Sequence, residues 1–485
     1  VPIPEKRRLV GSKWVFKLKR GVNGEPERAK ARLVAQGFSQ VEGVDYQETF
    51  SPTVRFTTIR TFFAVAANQN WTMEQLDVKT AFLIPELEEE IYMRMPQGVT
   101  APSGTCLRLR KSLYGLKQAS RAWSSNLHQT LVGRLGMIQS KYDPCLYEKF
   151  DSDGKLIGLL VAYVDDILVA GQAQAVKNMS AALTSTYQMT TSPVSHFLGM
   201  RVTRSDSGTI ELRQDAYIDR LLERFKMTEA AAEATPANER LTKDDCPQTN
   251  EERADMEDVP YRECIGALQY LAVLTRPDIV QAVNQCSRFL GNPGRKHWTA
   301  AKHILRYLKG TREYGLTFSA ARDSSKPILE VYSDSDWAGD RDDRRSTSGY
   351  IVRLFGAIVG WKNKKQPTTA LSSCEAELMA ICMSMQEALW MRGLLGELKL
   401  HKGPVTIHED NQGAKAIAND AKFSDRTKHI DVKYFRIQEE VKRKYVKVDY
   451  CNTKEMLADM LTKPLSKQPF QSLRSMFGMC GNALH

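Results

Sequence analysis

Two runs of apolar residues flank a pair of acidic residues in the first half of the chain. Residues 156–164 read Leu-Ile-Gly-Leu-Leu-Val-Ala-Tyr-Val, and residues 167–170 read Ile-Leu-Val-Ala. Short apolar runs rich in β-branched residues are typical of buried strands, and two such runs joined by a tight turn predict a hairpin. Asp165 and Asp166 lie at its tip.

Adjacent carboxylates at the tip of a buried hairpin repel each other and resist ionisation unless a cation compensates them. A divalent metal ion would do so, and the alternative is an ordinary Asp-Asp turn that faces water. A third acid, Asp77, follows a strand-like stretch at residues 71–76 and precedes residues 78–83, which we expect to turn helical.

Three facing carboxylates offer the hard oxygen ligands that Mg²⁺ prefers alongside substrate phosphates. In two-metal phosphoryl transfer, one ion activates the attacking 3′-hydroxyl and the other stabilises the leaving pyrophosphate. The protein then mainly positions charge. Asp77, Asp165 and Asp166 therefore predict a magnesium-dependent phosphoryl-transfer site.

The remaining pattern divides the chain into regions of different composition. Residues 1–228 alternate strand-like and helical stretches and close with an amphipathic helix at 217–225. Residues 235–258 are polar and predict a linker or surface excursion without a packed core. Helical periodicity returns at 262–274, 279–290 and 298–308, and from about residue 326 strands and helices are mixed.

The last of those predicted helices carries a basic face. It comprises Lys302, His303, Arg306 and Lys309. Such a face either contacts the phosphates of a nucleic acid duplex or is simply solvated, and the sequence leaves both alternatives open.

Composition narrows the class of protein. A chain of 485 residues should form two to four domains. The net charge of +11 favours a polyanionic partner, of which nucleic acid is the obvious one. Nine cysteines without a Cys-X-X-Cys pair indicate neither a zinc ribbon nor a disulfide framework. No apolar run reaches the roughly 20 residues of a membrane span, so we expect a soluble, intracellular protein without a membrane partner.

Several sequence blocks, taken in order, resemble the reverse transcriptase and ribonuclease H region of a copia-type LTR retrotransposon polyprotein. Among them are Tyr-Val-Asp-Asp at 163–166, Ser-Leu-Tyr-Gly-Leu-Lys-Gln at 112–118 and Tyr-Ser-Asp-Ser-Asp-Trp-Ala-Gly at 332–339. Further matching blocks lie at residues 11–17, 30–38, 45–52, 75–83, 197–200, 270–279, 370–377 and 427–431. The chain begins at Val1 without a methionine, so we expect a processed or truncated piece whose parent carries protease and integrase segments upstream.

The resemblance implies a multidomain α/β and α+β fold. A right-hand polymerase would place its fingers and palm in residues 1–228, and a linker with a helical thumb or connection in residues 229–325. A ribonuclease H-like mixed α/β domain with a C-terminal tail would occupy residues 326–485.

The resemblance also assigns four acids to a second site. Each is unremarkable alone, but together they match the acidic quartet with which ribonucleases H hold two Mg²⁺ ions that activate water against an RNA phosphodiester. The four acids are Asp334, Glu377, Asp410 and Asp459. Asp336 is an alternative to Asp334, although the Tyr-Ser-Asp frame favours Asp334.

Other polymerase roles follow from the resemblance, position by position. Phe82 corresponds to the steric gate that excludes a ribose 2′-hydroxyl, with a core phenylalanine as the alternative. Lys30 and Arg32 correspond to triphosphate contacts of the fingers, with solvated strand residues as the alternative. Gln118, with Gly115 and Lys117, belongs to a turn beneath the templating base pair. The primer grip would comprise Phe197, Leu198, Gly199 and Met200.

The chain departs from the family pattern at three places. Ile84 and Pro85 stand where Asn-Gly is usual after the first catalytic aspartate. Residues 189–193 read Met-Thr-Thr-Ser-Pro and lack the lysine that would protonate pyrophosphate, for which His196 is a hypothetical substitute. No histidine lies between His429 and Asp459, where many cellular ribonucleases H carry one for product release.

The expected function is that of a bifunctional enzyme that copies RNA into DNA, extends on DNA and degrades the RNA of the hybrid. It would use two Mg²⁺ ions per site, with Mn²⁺ as an alternative, and bind an RNA template, a DNA primer, the RNA–DNA hybrid and deoxynucleoside triphosphates. We expect it in cytoplasmic virus-like particles, and also in the nucleus. A decayed nucleic-acid-binding relic is the alternative outside enzymes, and a telomerase-like or intron-type polymerase is the alternative among them.

Overall fold

The computed structural model describes residues 1–5, 7–20, 25–237, 239–319, 327–419 and 431–479, without the side chains of 19, 20 and 431–434. The chain forms two compact units. The first unit comprises Val1–Val54 and Met73–Pro193, and the second comprises Arg55–Thr72 and Val194–His485. The division into three parts at residues 228 and 325 stays a prediction.

Nineteen strands are present in the described residues. They are β1 (Ser12–Arg20), β2 (Pro26–Ala35), β3 (Thr72–Val78), β4 (Glu86–Met93), β5 (Leu107–Lys111), β6 (Ile138–Gln139), β7 (Leu146–Phe150), β8 (Leu156–Tyr163), β9 (Asp166–Gly171), β10 (Met189–Ser192), β11 (His196–Phe197), β12 (Met200–Arg204), β13 (Ile210–Arg213), β14 (Leu316–Phe318), β15 (Leu329–Asp336), β16 (Thr347–Leu354), β17 (Ala357–Lys365), β18 (Val405–Glu409) and β19 (Val446–Tyr450).

The described residues also form thirteen α-helices. They are α1 (Phe56–Asn68), α2 (Ala119–Gln129), α3 (Ala173–Thr186), α4 (Asp215–Arg224), α5 (Asn250–Glu257), α6 (Tyr261–Leu274), α7 (Val280–Ser287), α8 (Arg295–Gly310), α9 (Ser373–Glu397), α10 (Gln412–Asn419), α11 (Asp431–Lys442), α12 (Asp459–Thr462) and α13 (Lys467–Met476). None of these helices combines the length and the hydropathy that crossing a bilayer requires.

The first unit is built on a six-stranded sheet with the order β10-β3-β9-β8-β7-β6. The predicted hairpin is confirmed, because β8 and β9 pair antiparallel from Gly158 with Gly171 to Tyr163 with Asp166. Apolar side chains of the sheet, such as Leu160, pack with Trp123 of α2 in one buried cluster. The stretch after Asp77 forms only a short 3-10 helix, so the expected helical turn is brief.

Two smaller hairpins complete the sheets of the first unit. Strands β1 and β2 pair from Ser12 with Ala35 onward, and β4 pairs with β5. Gly115 has φ of 93°, and a Cβ atom there would collide with the Ala35 carbonyl oxygen. Only glycine allows this close approach between the loop before α2 and the end of β2.

Helices and a four-stranded antiparallel sheet form the first part of the second unit. The sheet has the order β11-β12-β13-β14. The helices predicted at 262–274, 279–290 and 298–308 are confirmed as α6, α7 and α8, with a 3-10 turn at Pro277–Ile279 leading into α7.

The polar segment 235–258, predicted as a linker or surface excursion without a packed core, contains helix α5. The Thr249 hydroxyl accepts a hydrogen bond from the Glu252 amide at 3.2 Å, and the Glu252 carboxylate accepts one from the Thr249 amide at 3.2 Å. This capping box starts the helix, while the side chains of Leu241 and Met256 are buried.

The basic face of α8 is largely engaged by the chain itself. Arg306 donates to the Ala231 carbonyl oxygen at 2.7 Å, and Lys309 donates to that of Ala230 at 2.9 Å. His303 is buried, and one of its ring nitrogens lies 2.9 Å from the Thr235 carbonyl oxygen. These three side chains support residues 230–235, so part of their hydrogen-bonding capacity is used within the chain, although Arg306 and Lys309 remain partly exposed.

A five-stranded mixed sheet with the order β17-β16-β15-β18-β19 forms the last part of the second unit. Strand β15 is antiparallel to β16 and parallel to β18, which is parallel to β19. Helix α9 packs on this sheet, and the element order is the one expected for a ribonuclease H-like domain. The helix that Asp459 opens is a single turn and is followed by α13; residues 427–430 of the predicted block, with His429, lie outside the described residues.

Candidate active sites

The tip of the β8–β9 hairpin carries a strained residue. Val164 has φ of 55°, in the left-handed region that β-branched residues rarely adopt. The indole nitrogen of Trp123 donates to the Val164 carbonyl oxygen at 2.7 Å. This bond holds the turn in the conformation that places Asp165 and Asp166 side by side, and strain of this kind is often found at functional sites.

The first unit brings its three predicted acids to one end of neighbouring strands. Asp77 lies in β3, which is adjacent to β9, and the Val78 amide donates to the Asp165 carbonyl oxygen at 3.1 Å. Burial, followed by the charges of Asp166 and Asp77, raises the pKa of Asp165. Burial and the charge of Asp77 raise the pKa of Asp166, against a hydrogen bond from Gln75 that lowers it.

Predicted nucleotide contacts lie in the same neighbourhood. The charges of Arg32 and Lys30 partly offset the rise in the pKa of Asp165. The Arg32 guanidinium lies 5.8 Å from the ring centre of Tyr114, and the ring of Phe82 lies 4.9 Å from the same ring. Tyr114 therefore joins the predicted gate to the predicted phosphate contact, and sequence reasoning gave it no role.

Gln118 has a different environment from the other predicted nucleotide contacts. Its side chain is buried, donates to the Asp45 carbonyl oxygen at 2.8 Å and accepts from the Gln40 amide at 3.0 Å. Both ends of the amide are thus engaged within the protein. This placement favours a residue that holds the turn before α2 over one that contacts a nucleotide directly, and its role stays a prediction.

The predicted primer grip is the tight β11–β12 hairpin of the second unit. Its central residues, Leu198 and Gly199, have φ of 47° and 76°, as a two-residue hairpin turn requires. Phe197 and Met200 are buried, and the Tyr270 hydroxyl donates to the Leu198 carbonyl oxygen at 2.9 Å. A side chain on Gly199 would collide with that hydroxyl, so Tyr270 fixes the hairpin from one side.

His196, the hypothetical substitute for the missing lysine, is exposed beside this hairpin. A ring nitrogen of His196 lies 3.4 Å from the Ser195 hydroxyl. Its proposed role in proton transfer stays a prediction.

Four predicted acids converge in the second unit. Asp334 lies in the central strand β15, Glu377 in the second turn of α9, Asp410 directly after β18, and Asp459 at the start of α12. Oxygens of Asp334, Asp410 and Asp459 all lie within 4.8 Å of one another. Helix α9 starts at a Ser372 cap, whose hydroxyl accepts from an amide in the first turn at 3.1 Å.

A second group of acids shares Asp410 with the first. Oxygens of Glu377, Glu409 and Asp410 also lie mutually within 4.8 Å. Glu409 was not predicted, although strand alternation places it on the same face of β18 as the buried Val405 and Ile407, where an acid is unusual. In the part of the chain that the structure describes, only the second unit gathers three acids this closely.

Asp336, the alternative first-strand acid, belongs to neither group. Its carboxylate accepts a hydrogen bond from the Thr347 amide, and burial raises its pKa to about 7. Asp334, in contrast, is fully buried within the first group.

Lys463 supplies a cation to one side of the second cluster. Its ammonium nitrogen lies 3.0 Å from an Asp334 oxygen and 2.7 Å from an Asp459 oxygen. The Thr462 hydroxyl donates to the other oxygen of Asp334. Even so, burial, followed by the charge of Asp334, raises the pKa of Asp459 to about 7.

The glutamates are still harder to ionise. Burial and the charge of Glu409 raise the pKa of Glu377 well above its usual range. Burial and the charges of Asp334 and Asp410 do the same to the pKa of Glu409. The structure therefore concentrates more carboxylates than its own cations neutralise.

Divalent cations fit both clusters by the chemistry of the donor set. Among the described residues, buried oxygens of Asp165, Glu377 and Glu409 have no hydrogen-bond partner. A buried carboxylate oxygen without a partner is costly, and a bound cation removes that cost. Carboxylate oxygens are also the ligands that Mg²⁺ and Mn²⁺ accept.

The two sheets and their acids indicate the class of the protein. An acidic hairpin in the first sheet and an acidic cluster on a later mixed sheet are the features of a reverse transcriptase joined to a ribonuclease H-like domain. The family model described as reverse transcriptase (RNA-dependent DNA polymerase) matches residues 1–239.

The chain is 41% identical over 489 residues to the retrovirus-related Pol polyprotein from transposon TNT 1-94 of Nicotiana tabacum, covering 99% of this chain and 36% of that polyprotein. It is 31% identical over 319 residues to a transposon Ty5-1 protein of Saccharomyces cerevisiae, covering 64% of this chain and 100% of that protein. The structure of a foamy viral protease-reverse transcriptase in complex with double-stranded DNA is similar at 12% identity and a TM-score of 0.46, over 87% of this chain and 63% of that chain.

The chain belongs to the reverse transcriptase family of copia-type transposon Pol polyproteins. It spans about a third of the length of the plant polyproteins that it matches. For example, it covers 33% of the retrovirus-related Pol polyprotein from transposon RE2 of Arabidopsis thaliana.

Proposed function

We propose that this chain is an RNA-directed and DNA-directed DNA polymerase that also cleaves the RNA strand of RNA–DNA hybrids. The observation that carries the proposal is the pair of separate acidic clusters, one in each unit, inside a chain of this family. Unconstrained drift would not be expected to preserve seven acids at two such sites. The family match likewise does not favour the alternative of a catalytically decayed relic.

Asp77, Asp165 and Asp166 would hold the divalent ions of the polymerase site. Bound Mg²⁺ or Mn²⁺ supplies charge stabilisation and lowers the pKa of a coordinated hydroxyl or water. Lys30 and Arg32 would orient the triphosphate of the incoming nucleotide through charge-assisted hydrogen bonds. Phe82, packed against Tyr114, would present a rigid edge to the sugar and exclude a 2′-hydroxyl.

The acids of the second unit would serve the ribonuclease activity. Asp334, Glu377, Asp410 and Asp459 would hold two ions beside the scissile phosphodiester of the RNA strand. Lys463 would keep Asp334 and Asp459 in place through its ion pairs.

The substrates and location belong to the same proposal. The partners would be an RNA template, a DNA primer and the hybrid made from them, with integrase and protease segments of a parent polyprotein. Activity would take place in cytoplasmic virus-like particles, and in the nucleus where the product is delivered. Because phosphate contacts release counterions, the affinity for duplex should fall steeply as salt is raised.

The test is magnesium-dependent extension of a DNA primer on an RNA template, together with cleavage of a labelled hybrid. Asp165→Asn should abolish extension and leave cleavage, whereas Glu377→Gln should abolish cleavage and leave extension. Asp153→Asn is the matched control, because this exposed acid lies in the turn at the opposite end of β8.

A folded wild-type protein without either activity would refute the proposal. Loss of both activities in either variant would refute the assignment of one activity to each cluster.

A further inference from the structure

The last residue of β18 is a buried acid to which the four-acid pattern gives no role. Glu409 has no exposed surface, and it shares a strand face with Val405 and Ile407, which are equally buried. Strand alternation makes this a position for an apolar side chain. An ionisable group there costs free energy unless something in the site requires it.

The hydrogen bonds of Glu409 are incomplete. Its Oε1 atom accepts from the Asn411 amide at 3.0 Å, while Oε2 has no partner among the described residues. Glu377 likewise has a buried Oε2 atom without a partner in that part of the chain. These two neighbouring carboxylates therefore each have one buried oxygen without a hydrogen-bond partner. This indicates that a ligand able to bind several oxygen atoms at once completes the group.

In the part of the chain that the structure describes, salt bridges to cationic side chains do not complete this group. Lys463 forms its salt bridges with Asp334 and Asp459. In the described residues, no lysine or arginine forms a salt bridge with Glu377, Glu409 or Asp410. Among the described residues, the two glutamates and Asp410 therefore have no salt-bridging cation, although the charge of Lys463 acts on both glutamates at longer range.

We propose that Glu409 is a fifth carboxylate ligand of the ribonuclease H-like site, and that it binds a divalent cation together with Glu377 and Asp410. The three residues place one oxygen each within 4.8 Å of the other two. The inference rests on the proposed function to the extent that this site binds divalent cations, and it deepens that function by adding a ligand.

Binding of Mn²⁺ tests the inference without any measurement of activity. The protein is the full chain carrying Asp165→Asn and Asp166→Asn, so that ions at the first unit do not contribute. Calorimetry and the electron paramagnetic resonance signal of free Mn²⁺ give the number of ions bound and their affinities.

Two substitutions separate a ligand from a nearby charge. Glu409→Gln should weaken the binding of one ion on the order of 10–100-fold. Glu409→Asp keeps the charge but withdraws the carboxylate by one methylene, so it should also weaken that ion. Glu330→Gln is the control, since Glu330 is a buried acid of β15 that lies in neither acid group, and it should bind Mn²⁺ as the parent does.

The inference is overturned if Glu409→Asp binds Mn²⁺ with the parent affinity, because charge alone would then explain the effect of Glu409→Gln. It is also overturned if neither substitution changes binding while Glu377→Gln does; the proposed ribonuclease site then stands with four acids. A parent that binds no ion at the second unit would refute both the inference and the metal-dependent ribonuclease activity. Circular dichroism of each variant verifies that it is folded.

Discussion

The block at residues 270–279 contains an ion pair with no exposed surface, formed by Arg276 and Asp278. The Arg276 guanidinium donates to the two carboxylate oxygens at 2.9 and 2.7 Å, and to the Thr311 carbonyl oxygen at 2.9 Å. The Tyr307 hydroxyl donates to Asp278 at 2.6 Å. The network is closed, and it ties the 3-10 turn before α7 to the end of α8.

Asp278→Asn should destabilise the second unit strongly. The substitution removes one charge of a buried pair and leaves the Arg276 charge uncompensated, for which the cost is about 3–5 kcal/mol. For a folding unit of this size, each kcal/mol corresponds to a change in Tm of roughly 2 °C. We therefore expect a fall in Tm of about 6–10 °C.

Thermal unfolding of the full chain, followed by calorimetry and circular dichroism, measures this change. Asp255→Asn is the matched control, because Asp255 pairs with Arg295 on the exposed surface of the same unit. The control should leave Tm unchanged, since exposed pairs contribute little. A loss below about 1 kcal/mol for Asp278→Asn, or equal effects of the two substitutions, would refute the reasoning.

Four further substitutions probe other contacts. Gly199→Ala should destabilise the protein by about 1 kcal/mol and reduce primer extension, because the alanine would have to adopt a positive φ and its Cβ atom would collide with Tyr270. Tyr270→Phe should reduce primer extension without this backbone strain. Burial lowers the pKa of His297, so the folded state binds fewer protons than the unfolded state. The free energy of unfolding should therefore fall as pH drops below about 6.5. His297→Phe should flatten that pH dependence when unfolding is measured across the pH range. Lys463→Met should lower Tm in EDTA and enlarge the rise in Tm on adding Mg²⁺, because Asp334 loses its cation; an unchanged response to Mg²⁺ would contradict this.

Local patterns predicted the elements that carry the sites. The apolar runs around Asp165 and Asp166 gave the β8–β9 hairpin, because most side chains of both strands are buried. The periodicity of residues 262–308 gave three helices, because α6, α7 and α8 each bury one face. The capping box of Thr249 and Glu252 is also a local pattern, and it marks the start of α5 within the polar segment that was predicted as a linker or surface excursion.

Contacts between distant residues were not predictable from such patterns. The bond from Trp123 to Val164 joins residues 41 positions apart, and nothing local indicates it. Lys463 follows Asp459 by four residues, a helical spacing that predicts their pair, but its contact with Asp334 depends on the packing of α12 against β15. Glu409 could have been noticed from strand alternation alone.

Both acidic clusters bring carboxylates that repel each other close together, but the two clusters differ in how deeply they are buried. Asp165 and Asp166 are only partly buried, so water and the nearby charges of Lys30 and Arg32 limit their repulsion. In the second unit, Asp334, Glu377, Glu409 and Asp459 are almost completely buried, and the salt bridges of Lys463 reach only Asp334 and Asp459. Because screening weakens with burial, Glu377 and Glu409, which have no salt-bridging cation among the described residues, have the stronger requirement for a bound cation.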